Sequence, residues 1–208
     1  MTTIYRVEVS LLLCVLLKYV NRPKMSAKIT LGAYLAKVKT VRAAVIPYIV
    51  IIDDQGNKIL HYLLARDQSS GDITDFGGGV KQNEVALTAS MREFKEESDE
   101  IFGNLYDKIN DSATNVALLD RNMSVLFIPL PGEWYNIAPE KFNQRKLKSM
   151  NERKKSHNEV SEVLWFNENE FRQLISMNNP RMWSRVRRFY NRNYGEQLSN
   201  ALKIVYSY

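Results

Sequence analysis

Gly77 to Glu97 reads GGGVKQNEVALTASMREFKEE, and the rest of the chain is organised around presenting it. Read at about 100° per residue, the part from Val85 onward predicts a helix with two unlike faces. Leu87, Met91, Phe94 and Ile101 fall on one stripe, expected to face a core. Glu93, Glu96 and Glu97, at i, i+3 and i+4, crowd roughly the opposite side. Like charges at that spacing repel by about 0.2–0.5 kcal/mol per pair. No Lys or Arg is expected among them to relieve this, because Lys95 points well away. Ala86, Ala89 and Ser90 share the acidic side, where small side chains let another backbone come close. An acidic run on a helix is ordinarily a solvated face. The alternative is that a divalent cation collects there, since hard ions such as Mg²⁺ take oxygen ligands and keep waters or phosphate oxygens.

The glycines favour the second reading. Gly78, five residues, Glu84, seven residues, then Arg92-Glu93-Phe94-Lys95-Glu96-Glu97 form a long, gapped pattern. It follows G-x5-E-x7-R-E-U-x-E-E-x-G-U, with U a bulky apolar residue, and so resembles the box of the Nudix hydrolases with every charged position filled. Two positions depart from it. The closing glycine is Asp99, followed by Glu100 where an apolar residue is usual, and the Pro that often precedes the paired glycines is absent from Phe76-Gly77-Gly78-Gly79. Gly normally supplies a left-handed stop at a helix end, and Asp tolerates that conformation better than most residues. Ile101 and Phe102 are candidates for the missing apolar contact.

The resemblance implies an α/β fold, a Nudix-type α/β/α sandwich with a mixed sheet that holds the box as a loop–helix–loop. It implies Mg²⁺- or Mn²⁺-dependent hydrolysis of the pyrophosphate linkage in a nucleoside diphosphate joined to another group. Glu93, Glu96, Glu97 and the Gly77 carbonyl are then the expected metal ligands. A Glu six residues before Trp165-Phe166 is similar to the segment where decapping-type members carry a further carboxylate. That match makes Glu159 the candidate fourth acid, with Glu162 second, and leaves the general base open among Glu93, Glu97 and Glu159. Arg92 is expected to position its neighbours, Glu84 to be structural and paired with Arg92, and Gly78 and Gly79 to support the box. The expected substrate is a phosphate-rich small molecule or capped RNA. A fold kept as a binding module without catalysis is the reading from another class, and an eroded box would favour it. This box retains all its carboxylates.

A chain of 208 residues suits one domain with a good core. Hydrophobic content of 45% and charged content of 25% are ordinary for a globular protein. A net charge of +6 suggests an anionic partner, whether a metabolite or nucleic acid. A single cysteine, Cys14, excludes an internal disulfide and fits a reducing, cytoplasmic setting. With only His61 and His157, a histidine-based metal site is disfavoured, and His61 is expected to be structural. Ser10 to Leu17 is apolar but short of the ~20 residues a membrane span needs. Glu8 ahead of it makes a poor signal peptide, so a packed strand or helix is expected and no membrane partner. Residues 1–39 read as an N-terminal extension, with Met25 an alternative start, and 40–208 as the domain.

Within that domain, Ala43–Ile52 and Lys58–Arg66 predict a hairpin around the turn cluster Asp53–Asn57. Pro47 suggests an edge or a bulge. Three consecutive glycines free the main chain for unusual angles. Asn104–Ser112 reads as a surface connection, and Thr114–Leu119 with Met123–Leu130 as a second hairpin. Trp134 and Tyr135, in an otherwise polar loop from Glu133 to Phe142, either stack on a base or cover the core. Arg145, Lys146, Lys148, Arg153, Lys154 and Lys155 form a dense basic run, either a solvated loop or a grip on phosphates or RNA. Val160–Phe166 predicts a strand, and a helix follows from about Glu168 to Met177. Residues 180–206 read as two helices, with Pro180 in the first turn of one and Gly195 between them. Met182, Trp183, Val186 and Tyr190 are expected inside, and Arg181, Arg185, Arg188 and Arg192 on a basic surface.

Overall fold

One strand rich in Ala, Val and Ile, from Arg42 to Ile52, serves two cores at once. The computed structural model describes residues 28–31, 38–110, 115–120, 122–148, 159–176 and 181–206. Its strands are β1 Lys28–Leu31, β2 Arg42–Ile52, β3 Lys58–Asp67, β4 Ile73–Thr74, β5 Phe76–Gly79, β6 Val116–Leu119, β7 Met123–Pro129 and β8 Val160–Asn167. Its helices are α1 Ala86–Glu97, α2 Leu105–Asn110, α3 Trp134–Lys148, α4 Glu168–Ile175, α5 Ser184–Asn193 and α6 Glu196–Val205. None of them is long and apolar enough to cross a membrane.

The strands form one mixed sheet ordered β1-β6-β7-β2-β3-β4, with β5 also pairing β2 and β8 also pairing β3. β2 runs parallel to β7 and antiparallel to β3 and β5. Successive side chains of a strand point to opposite faces. Ala43, Val45 and Ile49 enter a core with Phe94 of α1, Tyr106 of α2 and Phe142 of α3. Ala44, Ile46 and Tyr48 enter the other, with Phe171 of α4, Val186 of α5 and Leu198 of α6. The sheet therefore has helices on both faces.

Both predicted hairpins are present, and local chemistry turns them. Asp53 Oδ1 accepts from the Gln55 and Asn57 amides, and Gly56 takes φ 81°. Asp120 Oδ1 accepts from the amides of Asn122 and Met123. Pro47 departs from expectation, since it lies in a central strand opposite Ile128 of β7. It falls between the part of β2 that pairs with β5, residues 42–45, and the part that pairs with β3, residues 48–52. On that side no ladder bond needs the N–H that proline lacks.

Two connections prove to be helices. α2 lies within Asn104–Ser112 and buries Tyr106 beside Phe94 at 5.3 Å between ring centres. α3 covers the segment read as a polar loop and extends through Lys148 despite Pro139. Trp134, Ala138 and Phe142, four residues apart, give it a buried stripe. The first basic residues of the 145–155 run thus end a helix rather than open a loop. α5 begins at Ser184, later than the sequence suggests, and Pro180 lies outside the described residues. Lys28–Leu31, in the segment read as an extension, pairs with β6.

Candidate active site

The glycines act through closeness rather than unusual angles. Gly77, Gly78 and Gly79 form β5, and none of them has a positive φ. A side chain at Gly77 would place its Cβ 2.6 Å from the Ala43 carbonyl oxygen. At Gly78 it would stand 2.5 Å from the Glu93 carboxylate, whereas Gly79 faces open space. The bare strand lets α1 settle onto it, with Ala86, Ala89 and Ser90 fully buried beneath the helix. The acidic stripe is therefore not a solvated face. It is pressed toward β5, and the Gly77 amide donates to Glu97 Oε2 at 2.7 Å.

Arg92 corrects the expectation that no cation relieves the glutamates. Its Nε and Nη2 donate to the two oxygens of Glu84, each at 3.0 Å, in a bidentate pair. Nη1 donates to Glu93 Oε1 at 2.5 Å and lies 3.5 Å from Glu96 Oε2. Nη2 also reaches the Gly79 carbonyl at 3.0 Å, so one guanidinium ties strand, loop and helix together. These contacts hold Glu84 below the usual carboxylate range, with the Arg92 hydrogen bonds the main cause. Lys95 does point away, over the ring of Tyr106.

The helix ends without glycine. Asp99 and Glu100 take φ 54° and 56°, and their amides donate to the carbonyls of Glu96 and Lys95. That is the Schellman arrangement, built from two residues that pay a steric cost in the left-handed region. Phe102 closes the end by packing on Phe94 at 5.0 Å.

Under this layer sits a polar network that sequence reasoning missed. Arg42 and Asp75 are both buried, and Arg42 Nη2 donates to Asp75 Oδ1 at 2.5 Å and to the Gly77 carbonyl at 2.8 Å. Tyr190 of α5 donates its hydroxyl to Asp75 Oδ2 at 2.7 Å. Burial alone would lower the Arg42 pKa, but the charge of Asp75 outweighs it and holds the guanidinium above its ordinary value. Glu97 as a whole residue keeps some exposure, yet its carboxyl lies deep. Burial, with Asp75 and Glu93 nearby, pushes it well above the usual range against the pull of Arg42 and the Gly77 amide. The only hint of this network in sequence is Arg42, a lone charge heading an apolar strand.

Glu97 opens onto a cavity of about 350 Å³ lined also by Arg42, Gly77, Asp67, Glu159 and Trp183. Glu159, just before β8, is thereby brought to the box. Burial raises its carboxyl pKa, and the charges of Glu93, Glu96 and Asp67 add to the shift. Glu162 is instead ion-paired with Arg66 across the β3–β8 ladder. Trp183 is not inside as expected. It is 40% exposed, with the Arg42 guanidinium 5.4 Å from its ring centre.

The remaining predicted residues divide. Lys146 donates to Gln68 Oε1 and to the carbonyls of Val160 and Ser161, so it fastens the start of β8. Arg145 is exposed near the end of α3. The side chain of Lys148, and all of Arg153, Lys154 and Lys155, lie outside the described residues. Trp134 stacks on Phe102 at 4.8 Å and covers the core, while Tyr135 leans on His61 and Trp165. His61 is half-buried by that contact.

Among the described residues no three acids stand, as they are, in a set that could hold one ion. Arg92 engages Glu93 and Glu96, and Glu97 is bonded to β5. The donors nonetheless suit a hard divalent cation in kind: carboxylate oxygens of Glu93, Glu96, Glu97 and Glu159, and the Gly77 carbonyl. A buried carboxyl crowded by like charges is stabilised as an anion by added positive charge.

No family model matches the chain, and no curated protein matches it in sequence. Among solved structures it is similar to a crystal structure of the Bacillus subtilis pyrophosphohydrolase BsRppH, a point mutant. The identity is 14% and the TM-score 0.37, over 85% of this chain and 89% of that one. A similarity of that degree assigns neither substrate nor site.

Proposed function

We propose that this chain is a Nudix-type hydrolase, an α/β/α sandwich that uses Mg²⁺ or Mn²⁺ to cleave the pyrophosphate linkage of a nucleoside diphosphate joined to another group. One observation carries the reading: Glu97 lies deep under a glycine strand, beside further acids, and opens into a cavity that also holds Glu159. Perturbed carboxyls clustered at a cleft are the arrangement that functional sites use.

Glu93, Glu96, Glu97 and the Gly77 carbonyl would hold the metal, which when bound offsets phosphate charge and makes a water more acidic. Arg92 keeps Glu93 and Glu96 turned toward the strand and spaces them apart. Gly77 is held on both sides, its amide donating to Glu97 and its carbonyl accepting from Arg42, so the carbonyl offered to a ligand is fixed in place. Glu159 is the general base. Its carboxyl, raised above its ordinary pKa by burial and by the neighbouring acids, stands at the cavity wall, where it can take a proton from the attacking water. The water's oxygen then bonds to phosphorus as the bridging P–O bond breaks.

Turnover of a panel of nucleoside diphosphate derivatives in ¹⁸O-labelled water, read by mass spectrometry, tests this reading. Label in one phosphate product, lost in Glu97→Gln, is the expected result. Label absent from all products, with a folded protein and either metal, contradicts it.

A further inference from the structure

A second helix face carries like charges. α5 reads SRVRRFYNRN, with four arginines and no acid. Arg185, Arg188 and Arg192, at i, i+3 and i+7, are exposed, and no ion pair joins any of them to a carboxylate among the described residues. They line a cavity of about 280 Å³ together with Phe189, Asn193 and the β6–β7 turn. Its one acid, Asp120, has Oδ1 committed to the amides of that turn. Arginines spaced this way repel one another unless an anion lies across them.

The helix is also held firmly against the carboxylate cavity. The Trp183 amide donates to the Ile73 carbonyl at 3.1 Å, the Ile73 amide to Arg181 at 2.7 Å, and Tyr190 to Asp75. Trp183 lines the acidic cavity, and the residues after it line the basic one. Along one helix the wall therefore changes from carboxylate to guanidinium. Arg185 to Arg192 covers about 10 Å at 1.5 Å per residue, a row of three guanidiniums longer than a single phosphate group can span. A row of that length, on the helix whose leading residue Trp183 lines the acidic cavity, suits a chain of phosphates rather than one.

We propose that α5 binds the phosphodiester backbone of a single nucleic-acid strand and that the hydrolysed pyrophosphate lies at that strand's end. The second half of this statement rests on the hydrolytic reading above; the first half does not.

Full-length protein is titrated in EDTA into a 3′-labelled 20-nucleotide single strand, as RNA and as DNA, across a salt series, and anisotropy is read. Each phosphate contact contributes about 0.7 to the log–log salt slope for single strands. The variant Arg185→Gln/Arg188→Gln/Arg192→Gln is expected to bind at least about tenfold more weakly at low salt, with a slope shallower by about 2. The matching triple Lys variant should keep the slope. RNA binding more tightly than DNA identifies the strand as RNA, and the reverse identifies DNA. A wild-type slope in the Gln variant overturns the proposal. So does equal affinity for inorganic polyphosphate, which would make α5 a general anion surface. A parallel turnover assay separates the two readings. The Gln variant should lose kcat/KM on a 5′-triphosphorylated strand and keep it on a small dinucleotide, and equal loss on both overturns the link to catalysis. Strand binding without any turnover removes the hydrolytic reading and leaves the α5 site standing.

Discussion

α1 and α5 each gather like charges on one face, and their surroundings treat them differently. On α1 the acids are drawn in: Glu93 keeps 13% of its side-chain exposure, and Arg92 ties it to Glu84 of the preceding loop, which keeps 10%. On α5 Arg185, Arg188 and Arg192 stay exposed, with no ion pair to a carboxylate among the described residues. A buried cluster needs a resident counter-ion, because a charge in low dielectric is costly when unpaired. An exposed cluster is screened cheaply and can wait for a mobile polyanion. In the proposed reading the two faces divide one task, chemistry on α1 and grip on α5, with Asp75 and Tyr190 linking the elements between them.

The comparison is broken most severely at Glu97. Glu97→Gln keeps shape and removes charge, so hydrolysis should fall by at least about a hundredfold while circular dichroism is unchanged; wild-type turnover with Mg²⁺ would sink the metal assignment. Asp75→Asn strips the partner from buried Arg42 and should cost about 3–5 kcal/mol in chemical denaturation. A loss under about 1 kcal/mol would mean that the network does not join the two halves. Glu159→Gln should lower kcat by about tenfold or more, and an effect too small to measure would move the base elsewhere.

Smaller effects sharpen the picture. Gly78→Ala pushes on the Glu93 carboxylate and should reduce activity severalfold, whereas Gly79→Ala, facing open space, should not; equal effects would contradict the role given to close approach. The pH dependence of metal-free stability has a definite sign. The folded-state carboxyl of Glu97 is raised above its ordinary value of 4.5, so its contribution is present below that pH and is lost as pH rises through the raised value. Metal-free wild type should therefore lose Tm over that window relative to Glu97→Gln. Parallel curves for the two proteins would show that the carboxyl is not perturbed.

Much of this was legible because it is local. The apolar runs of β2, β3 and β7, the turn acids Asp53 and Asp120, and the two faces of α1 all declare themselves within a dozen residues. Glu159 was found by a spaced match, and the fold brings it to the α1 acids. What escaped was long-range or masked. Asp75 meets Arg42 across 33 positions and Tyr190 across 115, and no period in the chain encodes such a meeting. α3 was hidden by Pro131, Gly132 and Pro139, although Trp134, Ala138 and Phe142 carried its spacing. Trp183 stands in sequence beside Met182 and Val186, which are buried, and nothing local announces its contact with Arg42.

The account depends most on α1 and β5 forming a carboxylate site that a divalent ion completes. Isothermal titration of Mn²⁺ into the full-length protein and into Glu97→Gln, without nucleotide and then with a non-hydrolysable nucleoside diphosphate analogue, addresses this directly. Saturable uptake by the wild type and its loss in the variant is the predicted result; heats that are identical for the two proteins, or absent from both in either condition, would contradict it.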